Sequence, residues 1–131
     1  MIAVVFRAFY VFVLMAMSTS LAAAATLEEM AGQMIVVGFQ GDDVDDAAVV
    51  ALRDDLAASR LGGVMLLKTN IKSLDAVARM NAAFRAAAPT LAPFITLDQE
   101  GGAVERLTKD VGFREIPSAR DVAARNSPAQ A

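Results

Sequence analysis

Phe94-Ile95-Thr96-Leu97-Asp98-Gln99-Glu100-Gly101-Gly102-Ala103-Val104-Glu105-Arg106-Leu107 decides the fold class. Four apolar or β-favouring residues run into an acidic cluster, and two glycines then break the chain. An arginine follows eight positions after the first acid. The pattern predicts a buried strand that delivers Asp98 to its C-terminal tip. In barrel and doubly wound α/β folds, that end of the strand carries the chemistry. The glycines allow positive φ or close approach of backbone to a ligand.

Working outward, two more short apolar runs precede this one. Ile35 to Phe39 and Val64 to Leu67 are too short for helices and read as buried strands. Between the strands lie helical patterns. Thr26-Leu27-Glu28-Glu29 is a capping box, followed by Leu27, Met30 and Met34 at helical spacing. Asp42, Asp43, Asp45 and Asp46 precede a helix with Val49, Leu52 and Leu56 on one face. Arg53, Asp54, Asp55 and Arg60 read as its solvated side. The acids lack the spacing, the glycine and the distal glutamate of a calcium loop, so they mark a helix start. Leu61-Gly62-Gly63 closes that helix. Ser73 caps a third, carrying Val77, Met80 and Phe84, which Ala88-Pro89 ends. Lys68-Thr69-Asn70 sits at the tip of the second strand, where it either lines a pocket or caps the strand in water. After a polar loop from Thr108 to Glu115, Ser118 caps a short helix reaching Arg125, and Ser127-Pro128 reads as a further helix start.

Strands alternating with amphipathic helices imply a parallel sheet with right-handed crossovers. The candidates are a (β/α)8 barrel and an open doubly wound sheet. No dinucleotide or phosphate-binding glycine motif is present. With no His and no Cys, the chain holds no His-based triad, no His-ligated metal and no disulfide framework. A net charge of −3 without a basic cluster argues against nucleic acid as a partner. Apolar residues make up 56% of the chain, which excludes an intrinsically disordered one.

Residues 1–25 read as a signal peptide. Arg7 is their one charge, Ala8 to Met17 is an apolar run, and Ala23 with Ala25 fits cleavage before Thr26. The competing reading is a retained membrane anchor, for which the run is short. Cleavage makes residues 26–131 the mature domain, exported to the periplasm or secreted, with no stable membrane association. Three strands with open edges, and a helix opening at the last residues, imply the N-terminal piece of a longer chain.

The sequence resembles the N-terminal part of glycoside hydrolase family 3, particularly its β-N-acetylhexosaminidases. The matching segments are Gly32 to Phe39, Leu61 to Leu67, Asn70-Ile71, Leu97 to Gly102 with Val104 and Arg106-Leu107, and Ile116 to Ala119. The resemblance implies an α/β fold made of the first three βα units of a truncated (β/α)8 TIM barrel. It implies a retaining hydrolase of terminal β-linked N-acetylglucosamine, acting on peptidoglycan fragments without cofactor or metal. Its substrate partner is a carbohydrate. It assigns Asp98 and Arg106 to substrate binding, and Glu100 to support of the loop rather than acid/base catalysis. Ala103 departs from the long polar residue the family often has there. The family's nucleophilic Asp, acid/base His and Lys-His motif lie beyond this region, so no catalytic residue falls within these residues and the segment alone should be inactive. Alternatives are a β-glucosidase-like relative and a truncated, non-catalytic sugar-binding or vestigial protein.

Overall fold

The computed structural model describes residues 24–88, 90–127 and 129. The signal-peptide expectation falls almost wholly on residues 1–23, and the expected second helix start on Pro128, both outside the described residues.

The described chain runs α1 (Leu27–Gly32), β1 (Val36–Gly38), α2 (Ala47–Ala57), β2 (Gly63–Leu66), a 3-10 turn (Lys68–Asn70), α3 (Leu74–Ala87), β3 (Phe94–Leu97), a second 3-10 turn (Lys109–Val111) and α4 (Ala119–Arg125). The strands form a parallel sheet in the order β1-β2-β3. The register aligns Val37 with Val64 and Val64 with Ile95, and Leu66 with Leu97.

Side chains alternate across a strand, so these aligned rows share one face of the sheet. That face is the covered one. Val64 and Leu66 are buried with Val49, Leu52 and Leu56 of α2 and Val77, Met80 and Phe84 of α3, and Val37, Ile95 and Leu97 pack against them. Phe39 and Phe84 meet edge to face at 5.6 Å between ring centroids. Both crossover helices therefore lie on the same side of the sheet. A doubly wound sheet has helices on both faces; here the two crossover helices, α2 and α3, share one.

The opposite row, Val36, Gly63 and Phe94, explains a difference from the sequence reading. Ile35 to Phe39 is not a fully buried strand. It is shortened to Val36–Gly38, with Ile35 and Val36 exposed, and Phe94 is 68% exposed. An edge strand with one uncovered face buries only alternate residues. The first helix differs likewise. The Thr26 capping box forms, with Oγ1 accepting from Glu29 N and Glu29 Oε2 accepting from Thr26 N, but Leu27, Met30 and Met34 are exposed and only Gly32 is buried.

Two further corrections concern α2. Arg53 is half-buried, not on the solvated side. It stands four residues after Val49 and three before Leu56, so the helical repeat brings it to the edge of the buried stripe. Gly62 and Gly63 do not close the helix either. The helix ends at Ala57, and Ser59 takes the left-handed conformation at φ 56°. Both glycine N–H groups donate to Ile35 O, and an added Cβ would overlap Gln33 O at Gly62 and Phe94 O at Gly63. The pair is small because three stretches of backbone converge there. The Ser73 and Ser118 caps form as expected, each hydroxyl accepting a main-chain N–H three residues on.

Candidate functional site

The acidic segment from Asp42 to Asp46, then Asn70, then Asp98 follow the C-terminal ends of β1, β2 and β3 in turn. Asp98 follows directly on β3, and Arg106 returns to it across the loop. Arg106 Nη2 donates to Asp98 Oδ2 at 3.1 Å, with the arginine side chain 23% and the aspartate 48% exposed. The two residues that the sequence singled out are thus brought together at the surface. One guanidinium N–H is spent on Asp98, and the fork carries four more donors in a fixed plane. The carboxylate accepts at either oxygen. Such a pair can grip a ligand rich in vicinal hydroxyls.

The loop between them is built by its own residues. Glu100 N donates to Val104 O, and Gly101 bridges Val104, closing a tight turn. Gly101 is at φ +80°, and an added Cβ would run into the carbonyls of Ile116 and Pro117. Gly102 N donates to Ile116 O, and Glu105 Oε1 accepts from Ile116 N. The glycine turn is therefore pinned to Ile116-Pro117, immediately ahead of α4. Glu100 contributes its main chain to this turn while its side chain faces solvent; the carboxylate that braces the loop is Glu105.

Sequence reading passed over Gln99. Its Oε1 accepts from Arg106 N at 2.9 Å and from Leu107 N at 3.0 Å, and its Nε2 donates to Leu107 O at 3.0 Å. Nothing in periodicity or charge marks it. The signal available was its place between the acid and the glycines.

At the tip of β2, Asn70 settles the role left open for Lys68-Thr69-Asn70. It is 0% exposed. Oδ1 accepts from Leu67 N at 2.7 Å, while Nδ2 donates to Phe39 O at 3.1 Å and Gly41 O at 2.7 Å. One buried amide ties the ends of β1 and β2 together. Lys68 and Thr69 are exposed.

The acidic segment after β1 starts a helix in the expected place but by different means. Asp46, at the N-cap of α2, makes no side-chain bond to the helix. Its Oδ2 instead accepts from Asp42 N and Asp43 N, and these two bonds hold its pKa below the usual 3.8. Lys72 lies 3.7 Å from Asp42 and Arg79 3.6 Å from Asp43. The segment is a charge-compensated loop. No group of three or more acids among the described residues is arranged to hold a metal. Farther along, Lys109 and Glu115 pair across the second 3-10 turn, raising the lysine and lowering the carboxyl.

An open cleft of about 710 Å³ lies at the other end of the sheet, lined by Met30, Gln33, Ser59 and Leu91 among others. Among the described residues, Glu29 is its one charged lining residue. The Asp98–Arg106 pair is not part of it.

No family model matches the chain. A "Beta-hexosaminidase" of Stenotrophomonas maltophilia (strain R551-3) is 36% identical over 91 residues, 70% of this chain and 25% of the relative. One from Xanthomonas campestris pv. campestris (strain B100) is 40% identical over 86 residues, 66% of this chain and 23% of the relative. Among solved structures, the glycoside hydrolase family 3 β-N-acetylglucosaminidase of Paenibacillus sp. str. FPU-7 superimposes with a TM-score of 0.62 at 28% identity, over 72% of this chain and 18% of that one. The chain is similar to family 3 β-N-acetylhexosaminidases. It spans about a quarter of the length of the curated relatives it matches. NagZ of Neisseria gonorrhoeae shares the fold of this hexosaminidase-like segment, with a TM-score of 0.52 at 23% identity, over 63% of this chain and 23% of that one. Among the described residues, no helix of the segment is long and apolar enough to cross a membrane.

Proposed function

We propose that this chain is the sugar-holding part of a retaining glycoside hydrolase that removes terminal β-linked N-acetylglucosamine, with peptidoglycan fragments among its substrates. The observation that carries the reading is the Asp98–Arg106 pair at the C-terminal tip of β3, inside an Asp-Gln-Glu-Gly-Gly loop. Asp98 accepts from sugar hydroxyls and Arg106 donates to them. The names of the relatives support the sugar.

A (β/α)8 barrel is part of the proposal. Crossover helices on one face, sequential strand order and strand-tip chemistry all support it. In a closed barrel, the uncovered row of Val36 and Phe94 faces the interior, and further strands pair with β1 and β3. The chain contains no His, so the acid/base residue of the resembled family must come from further strands and loops. Export also belongs to the proposal, supported by the apolar, Arg7-bearing residues 1–25 with their small-residue end.

The test begins with the reading frame after the codon for Ala131. A barrel needs about 250 residues in all. The product of a frame of that length is assayed on chromogenic β-N-acetylglucosaminide and β-glucoside. Turnover of the first is expected, with Asp98→Ala raising KM. Residues 26–131 alone are expected to turn over neither. An immediate stop codon, or a full-length product active only on the glucoside, would overturn the proposal.

A further inference from the structure

Resting on that reading of Asp98 and Arg106, we infer that Gln99 is the positioning residue of the sugar-binding pair: its side-chain amide, rather than the ion pair itself, holds Arg106 beside Asp98. The ion pair is one N–H···O contact at 3.1 Å with a half-exposed carboxylate. Water and salt screen such a contact, and it is too weak to set the path of the loop between the two residues. The other closures of the loop act elsewhere. Glu100 to Val104 shapes the turn, and Gly102 and Glu105 dock it on Ile116. None of them touches the main chain of Arg106.

Gln99 does. It is the residue next to Asp98, so its side chain measures the returning chain directly from the tip of β3. Two main-chain N–H groups, from Arg106 and Leu107, converge on Oε1. Two donors aimed at one atom require an oxygen there, which fixes the orientation of the amide. Nε2 is then turned to donate to Leu107 O. A single partly buried amide makes three main-chain bonds and places the Cα of Arg106 where its guanidinium reaches Asp98. A glutamate at this position keeps both acceptor contacts but sets a carboxylate oxygen against Leu107 O. A leucine keeps none.

The test uses the full chain in three forms: wild type, Gln99→Leu and Gln99→Glu. Amide hydrogen exchange reads the main chain at Arg106 and Leu107, and the ¹⁵N resonances of the Arg106 guanidinium read its pairing with Asp98. Gln99→Leu is expected to speed exchange at both amides on the order of tenfold. It is also expected to merge the guanidinium signals by free rotation, leaving exchange at Val64 in the sheet unchanged. Gln99→Glu is expected to keep Arg106 protected. An Arg106–Asp98 pairing that persists in Gln99→Leu would overturn the inference. So would a Glu variant as unprotected as the Leu variant. Titration with N-acetylglucosamine separates this idea from the proposed function. Saturable shifts at Arg106 in wild type, lost in Gln99→Leu, support both. Absent shifts in wild type with pairing lost in Gln99→Leu leave Gln99 as the positioning residue of the pair and overturn its link to sugar.

Discussion

Replacing Asn70 by leucine strands three main-chain groups at once. Leucine keeps the branched outline of asparagine but is larger, so at this fully buried site any overpacking adds to the cost of the lost hydrogen bonds. Leu67 N, Phe39 O and Gly41 O all lose their partner. The bond to Phe39 O is buried, and water cannot easily replace it; the other two are partly buried. A stranded buried group costs about 1–3 kcal/mol, and one that water reaches costs less, so the three together come to about 3–5 kcal/mol. Burying the leucine returns about 1–2 kcal/mol of transfer free energy. Before any overpacking the net destabilisation is about 1–4 kcal/mol, a sizeable share of the roughly 5–15 kcal/mol that holds a domain together. Urea unfolding followed by circular dichroism measures it. Thr69→Ala, in the same turn but exposed, is the control and should stay within about 0.5 kcal/mol of wild type. A leucine variant as stable as the control would refute the idea that this amide joins the ends of β1 and β2.

Gly101→Ala should cost about 1–3 kcal/mol, because φ +80° is strained for alanine and its Cβ meets Pro117 O; faster hydrogen exchange at the Gly102 amide would show the turn lifting off Ile116. Phe84→Ala should cost about 3–5 kcal/mol in the same urea assay, since Phe84 is fully buried against Phe39. Asp46 has a folded-state pKa below 3.8, so its contribution is fully present above 3.8 and is lost as pH falls through the depressed value. Thermal unfolding of wild type and Asp46→Asn should accordingly differ at neutral pH and converge in acid. A gap that does not shrink as pH falls below 3.8 would refute the carboxylate account.

What the sequence determined by itself is local. Thr26, Ser73 and Ser118 cap helices because a hydroxyl needs only the main chain three residues on. Val49, Leu52, Leu56, Val77, Met80 and Phe84 bury because the 3.6-residue repeat lines them up, whatever they meet. The alternation of strands and helices set the parallel sheet, and the acid eight residues before an arginine marked the pair at its tip. Tertiary structure decided what depends on partners distant in sequence. Which face of the sheet is covered settles the fates of Val36 and Phe94, and a short apolar run does not say which of its residues face helices. Gly62 and Gly63 read as a helix stop but are small because the backbone of Gln33, just before β1, and of Phe94 in β3 passes against them. Asn70 and Gln99 are ordinary polar residues in the sequence. They become fasteners because their amides meet carbonyls and N–H groups that only the folded chain brings within reach.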